Sequence, residues 1–352
     1  MAIGGAARRT ALAGLAAVSG GRASDLLWGR DRLTVLVYHR IGDPSEPGME
    51  FDPGVFSATP EMFARQMRWV ASNFNVVSVD DLVAHLDGGP RLPDRPLLIT
   101  FDDGYRDNHE VAFPVLRDLN LPAVIFLATG AIGTDRVMWW DELPYLLGRT
   151  GRTGAELPLV GPRALHDAAA RLSARRELVA ALKAVPDDAR ARAMGELRDV
   201  LGVAAPVPAQ PLFMDWDAVA ELVAGGVDCQ PHTVDHPILI RVDGDRARRE
   251  IRESAEAVRR RTGRPQVAFA YPNGDWSADT MAALTECGIR LGFTMRLGPC
   301  RASDWPAAPL EIPRVPLDAT DSWDLFRLKA TGAASSVLGA MGRRPPARLA
   351  AA

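Results

Sequence analysis

The chain has 352 residues, 47% of them hydrophobic and 24% charged, enough for one large or two modest domains around a substantial core. Forty-one basic and 44 acidic residues leave a formal net charge of −3 with both signs interspersed, so no basic face is demanded and nucleic acid is not an expected partner. Almost all the basic residues are arginine, Lys183 and Lys329 being the two lysines, which reads as genomic base composition.

Cys229, Cys287 and Cys300 are scattered without a C-x-x-C pair, which excludes a disulfide framework and a cysteine-rich zinc site. Cys229 reads as a small buried hydrophobe in a strand, with a fourth metal ligand as the alternative. No stretch reaches the roughly 18 apolar residues of a spanning helix. Arg8 and Arg9 precede an alanine-rich run at 11–18 that loosely mimics an export signal, yet the run is short and lacks an A-x-A site. The expectation is a cytoplasmic or membrane-peripheral protein, with export as the alternative. The oligomeric state is not legible.

In chain order, residues 33–38 form an apolar, β-branched strand ending at His39. Thr59-Pro60 opens a helix to about 72, with Thr59 as N-cap. A short strand at 76–78, a helix at 80–86 and a break at Gly88-Gly89-Pro90 follow. The strand 97–101 ends at Asp102-Asp103-Gly104, and a helix at 108–119 leads to a strand at 123–128. Alternating short strands and helices imply βα units and a parallel sheet, whose chemistry lies where strands end. Residues 141–211 are rich in Ala, Arg and Leu and read as a mainly helical insertion, a lid or an oligomer contact. The rhythm then resumes: helix 216–224, strand 227–231, helix 246–262, strand 267–271, helix 278–287, strand 292–295 and a last strand around Val315. Segments 1–30 and 321–352 read as terminal, the second as a tail.

Two features carry chemistry. His232-Thr233-Val234-Asp235-His236, bracketed by Pro231 and Pro237, puts two imidazoles in a loop after a strand, where they face one point if the segment turns helically. Thr100-Phe101-Asp102-Asp103-Gly104 puts adjacent carboxylates at a strand end, either an Asp-Gly turn with a helix cap or a cation ligand beside a base. Together they suit a site with one carboxylate and two histidine ligands, leaving positions open for water and substrate.

The two motifs, in this order and each after a strand, resemble those of the polysaccharide deacetylases, carbohydrate esterase family 4, also called the NodB-homology domain. The resemblance covers about 31–140 and 212–320 and implies an incomplete, distorted (β/α)7 barrel. It implies Asp103, His232 and His236 as ligands of a divalent metal, Zn2+ first and Co2+, Ni2+ or Mn2+ as alternatives, with Asp102 as general base. Ala270-Tyr271-Pro272-Asn273-Gly274 corresponds to the family's third motif without its arginine, which places Tyr271 and the Asn273 N–H at the oxyanion or substrate. Arg314 is the candidate partner for Asp102, a surface salt bridge being the alternative. No histidine follows His236, and Val35-Leu36-Val37-Tyr38-His39 is similar to the family's late histidine strand moved to the front. That resembles the circularly permuted branch, which includes deacetylases of poly-N-acetylglucosamine, and makes His39 the expected general acid.

Tyr105 and Asn108 are expected at the substrate rim or as helix caps, and Trp139-Trp140 as packing anchors or a sugar platform. The expected reaction is removal of acetyl groups, N-acetyl favoured, from a polysaccharide or amino sugar by a metal-activated water. Deformylation or other C–N hydrolysis of lipid-linked amino sugars is the first alternative, and a silent carbohydrate-binding relative the second.

Overall fold

Runs of Val, Ile and Leu without polar alternation form parallel strands buried on both faces. The structure, a computed structural model, describes residues 31–43, 53–208, 210–298, 300–301 and 304–332. The export-like run and the end of the tail lie outside these residues.

Strand β1 (Arg32–Tyr38) is followed by the short β2 (Arg40–Ile41), which pairs with β3 (Phe56–Ala58). Helix α1 (Pro60–Asn73) begins as expected, with Thr59 Oγ1 accepting from the Met62 N–H at 3.3 Å. Strand β4 (Asn75–Val76) stops before the expected 78, because Ser78 instead caps α2 (Val79–Leu86) in a reciprocal capping box with Asp81. Strand β5 (Pro96–Asp103) runs two residues past the expected end and pairs with β6 (Ala123–Leu127) as far as Asp103 opposite Leu127. Between them, the single helix expected at 108–119 is a π turn (Asn108–Ala112) leading into α3 (Phe113–Asp118). Pro114 has no N–H to continue a regular ladder there.

The insertion holds α4 (Trp139–Arg149), an antiparallel hairpin of β7 (Gly154–Leu157) and β8 (Gly161–Ala164), α5 (Ala168–Ala184) and α6 (Asp187–Leu201). Leu143, Leu146, Leu178, Leu182 and Leu197 form its own apolar core. The hairpin was not expected; its turn is set by left-handed Leu159 and Gly161. The tryptophan pair starts α4.

Helix α7 (Trp216–Ala224), β9 (Val227–Pro231), α8 (Gly244–Thr262), β10 (Ala268–Ala270), α9 (Ala278–Glu286), β11 (Leu291–Leu297), β12 (Cys300–Arg301) and β13 (Ile312–Pro316) complete the barrel. The residues assigned to a tail from 321 include a packed helix, α10 (Trp323–Ala330), whose Trp323 and Phe326 rings lie 6.1 and 5.6 Å from the ring of Trp69. Among the described residues no helix is long and apolar enough to cross a membrane.

The main sheet runs β10-β11-β13-β1-β5-β6-β9 with parallel neighbours, giving the expected incomplete (β/α)7 barrel. The first strand among the described residues, β1, lies between β13 and β5, the place a transposed strand would take. No strand pairing joins β9 to β10 among the described residues. Gln230 spans this seam instead: its Oε1 accepts from the Val267 and Ala268 N–H groups at 2.9 and 3.0 Å, and its Nε2 donates to the Pro265 carbonyl at 3.2 Å. Side-chain bonding thus satisfies backbone groups that a closed ladder would pair.

Gly292 allows β11 to approach the chain entering β13, since a Cβ there would stand 2.5 Å from the Leu310 carbonyl oxygen. Gly292→Ala is expected to destabilise the protein by about 1–3 kcal/mol. An unchanged thermal midpoint would contradict this packing.

Candidate active site

Parallel strands end on one side of a barrel, so the residues following β1, β5, β9 and β10 meet there. Adjacent side chains of a regular strand would project to opposite faces. Asp103 escapes that rule because it adopts a left-handed backbone, φ 74°, followed by Gly104 at φ 83°. Such a conformation costs a non-glycine residue about 1–2 kcal/mol. It brings both carboxylates to the histidine pair.

The 232–236 segment does not turn helically as expected. Thr233 and His236 are left-handed, φ 68° and 55°, and Thr233 Oγ1 accepts from the His236 N–H at 3.0 Å. The N–H groups of Thr129 and Gly130 hold the Thr233 and Val234 carbonyls at 3.0 and 2.9 Å. Gly130 is needed at this approach, since a Cβ would lie 2.8 Å from the Val234 oxygen.

Asp103 Oδ1 lies 3.5 Å from His232 Nε2 and 3.3 Å from His236 Nε2, and the two Nε2 atoms are 3.1 Å apart. His232 Nδ1 is 2.6 Å from the Ala270 carbonyl, which can only accept, so Nδ1 carries the proton and Nε2 offers its lone pair inward. Burial lowers the His232 pKa to about 4 and holds His236 well below its ordinary value, favouring the neutral imidazoles that ligate metals. Burial, with the charge of Asp102, pushes Asp103 well above the usual carboxylate range. Asp103 Oδ1 is buried and accepts no hydrogen bond among the described residues. One orphaned carboxylate oxygen and two imidazole nitrogens within 4.8 Å of one another fit a zinc-like cation. Cys229 lies buried in the barrel core and is not among these ligand atoms.

Asp102 faces Arg314, which is wholly buried in β13. Arg314 NH1 and NH2 donate to Asp102 Oδ1 and Oδ2, both at 2.7 Å, and Nε donates to the Thr294 carbonyl at 3.1 Å. The surface salt bridge considered for Arg314 is thus replaced by a buried bidentate pair. Burial opposes the charge on Asp102, but the guanidinium outweighs it and holds the carboxyl far below its usual range. His39 Nε2 lies 4.0 Å from Asp102 Oδ2. Burial lowers the His39 pKa against the opposing pull of Asp102, with Arg314 and Lys183 of the insertion lowering it further.

Other expected residues fall elsewhere. Tyr271 is fully buried with its hydroxyl donating to the Leu310 carbonyl at 3.1 Å, so its ring packs the core and does not face substrate. Tyr105 is also fully buried: its hydroxyl donates to Asp141 at 2.8 Å and accepts from Trp140 Nε1 at 2.7 Å. It therefore supports Trp140, whose ring stands 4.5 Å edge-on from His236, and does not line a rim. Asn108 donates to the His39 carbonyl at 2.7 Å. Asn273 is exposed in a left-handed turn, φ 59°, its side chain donating to Asp275 at 2.6 Å. Gln230 and Glu250, which accept from backbone N–H groups of chain segments distant in sequence, carry no local signal that sets them apart.

The Asp102–Arg314 pair has a defined pH signature. The native carboxyl value lies below the unfolded value of about 4, so the pair contributes at neutral pH and is lost as pH falls from about 4 through the native value. In Arg314→Met, burial acts without the guanidinium. The expected loss is about 3–5 kcal/mol near pH 8, shrinking toward pH 5 as Asp102 takes a proton. A loss that stays constant across that range in chemical denaturation would contradict the pairing.

The family model described as polysaccharide deacetylase matches residues 89–292, more than half of the chain. The poly-beta-1,6-N-acetyl-D-glucosamine N-deacetylase of Staphylococcus epidermidis is 28% identical over 117 residues, 31% of this chain and 40% of that protein. Matches to the curated relatives span between 14% and 40% of their lengths. The Streptococcus pyogenes deacetylase PplD, solved in complex with acetate, superposes with a TM-score of 0.57 at 17% identity, over 85% of this chain and 98% of that one. IcaB from Ammonifex degensii does so at 0.55 and 21%, over 86% and 97%. These likenesses agree on the barrel, and with the match across residues 89–292 they place the chain in the polysaccharide deacetylase family.

Proposed function

We propose that this protein is a divalent-metal-dependent deacetylase that removes N-acetyl groups from an amino-sugar polymer. The observation that carries the reading is the buried, unsatisfied Asp103 Oδ1 facing two imidazole nitrogens, beside a second carboxylate held ionised by Arg314. Asp103, His232 and His236 would hold the cation, Zn2+ best suiting this donor set and Co2+, Ni2+ or Mn2+ being alternatives. A cation there supplies Lewis acidity, polarising a carbonyl and acidifying water until even a weakly basic carboxylate can take its proton.

Asp102 is the proton acceptor, fixed in place and charge by Arg314. His39, whose Nε2 lies 4.0 Å from Asp102 Oδ2, delivers a proton to the departing nitrogen. Its lowered pKa makes the imidazolium a willing donor. The N–H near Asn273 is assigned to the developing oxyanion. An amide needs the proton from His39 more than an ester does, because amines leave poorly unprotonated. The relatives named as poly-N-acetylglucosamine N-deacetylases support the same substrate class.

Purified protein supplied with zinc or cobalt is expected to release acetate from N-acetylglucosamine oligomers. Asp102→Asn and His232→Ala should each lower that release at least about 100-fold, and undiminished release by either sinks the assignment. Detection of formate by product mass would redirect the reading to deformylation. His39→Ala should lose amide hydrolysis about 100-fold or more, yet keep most activity on an aryl acetate, whose leaving group needs no proton. Equal loss on both substrates would remove His39 from the acid role.

A further inference from the structure

The loop bearing the two histidines is held from a direction that the proposed chemistry does not use. Its carbonyls are fixed by the β6 side of the barrel, through Thr129 and Gly130. The N–H groups of Val234 and Asp235, midway between His232 and His236, both donate to one oxygen of Glu250, at 2.8 and 2.9 Å. Glu250 lies on the inner face of α8 and is 5% exposed. Its other oxygen is 3.7 Å from Arg246 Nε, one turn earlier on the helix. Arg246 NH2 in turn donates to Asp187 at 2.5 Å, and Asp187 is the first residue of α6 in the insertion, where it also pairs with Arg190.

Arg246 is thus hydrogen-bonded to Asp187 and in ion-pair contact with Glu250, so its position and charge couple the two carboxylates. A carboxylate accepting two consecutive N–H groups fixes the peptide planes between them, so it sets how closely the two imidazoles approach. Left-handed Thr233 and His236 flank those peptides, which need an external hold to keep that shape.

We infer that Glu250 is a positioning residue for the histidine pair, and that the inserted helical unit tunes metal affinity through the relay Asp187–Arg246–Glu250. This inference rests on the metal assignment made above, and it goes beyond it in giving the insertion a role in the barrel's site. Neither Glu250 nor Asp187 is among the candidate ligand residues.

The test is zinc affinity, measured by competition with a chelator on metal-stripped protein, alongside hydrogen exchange at the Val234 and Asp235 amides. Glu250→Ala is expected to weaken zinc binding about 10- to 100-fold and to speed exchange at both amides. Glu250→Gln, whose amide oxygen can still accept both bonds, should restore affinity to within about threefold of the wild type. Asp187→Ala, at a partly exposed position, should weaken zinc binding severalfold without touching the loop directly. Wild-type affinity in Glu250→Ala, or a Gln variant as impaired as Ala, overturns the positioning role. Wild-type affinity in Asp187→Ala overturns the link to the insertion; should Glu250→Ala fail to fold, Glu250→Asp, whose shorter side chain reaches the loop less well, decides the positioning role, unchanged zinc affinity overturning it. Failure of the deacetylase reading looks different: wild-type protein would bind zinc with the sensitivities above and release no acetate.

Discussion

Arg314 is completely buried, and its guanidinium is tolerable there because the Asp102 carboxylate meets it through two parallel bonds while the Thr294 carbonyl takes a third. A charge taken out of water is stable only with such a partner. The pair also spans two strands, β13 and β5, that are not neighbours in the sheet, because β1 lies between them. The ion pair therefore ties β13 to β5, the strand carrying the Asp102 and Asp103 carboxylates, across the barrel interior. One interaction holds Asp102 ionised, aims it, and fixes the two strands that define the mouth of the barrel.

The unclosed seam between β9 and β10 does comparable work by a different route. A sheet edge exposes unpaired backbone groups, which here are met by side chains. Gln230 takes two N–H groups of the β10 region, and His232 donates Nδ1–H to the Ala270 carbonyl. The second contact has a chemical consequence, since it fixes the imidazole tautomer that presents Nε2 to the site. The open seam of the barrel and the fixed tautomer of His232 thus share one contact. Asp103, Thr233 and His236 are all left-handed, and that backbone aims side chains that regular elements would point elsewhere.

The insertion is neither a detached appendage nor merely a cover. It has its own core, and its first helix enters the site through Trp140, which stands against His236 and donates to Tyr105. Asp141, the next residue, takes the Tyr105 hydroxyl. The tryptophan pair therefore anchors the insertion to the barrel, the packing role considered for it, and it does so beside a candidate ligand.

The order of strands and helices, the parallel sheet and the four residues of the centre were legible because they are local signals: apolar runs, caps, Asp-Asp-Gly after one strand and a histidine pair after another. The resemblance supplied roles for those residues and for His39, as a strand-end residue moved to the front, whereas Arg314 stood as a candidate because the family's usual arginine is missing. What sequence could not fix is which polar groups face one another across distant segments. Tyr105 and Tyr271 look like site residues from their neighbours in the chain, yet burial turns both into packing and support. Glu250 is one acid in an arginine-rich amphipathic helix, with nothing local to separate it from Glu253 or Glu256. Sequence by itself determined which side chains are candidates to hold a cation or move a proton, because candidacy depends on residue type and strand position. Only the tertiary structure decided the tautomer, the ion-pair partner and the hold on the histidine loop, because each depends on atoms that chain closure brings together.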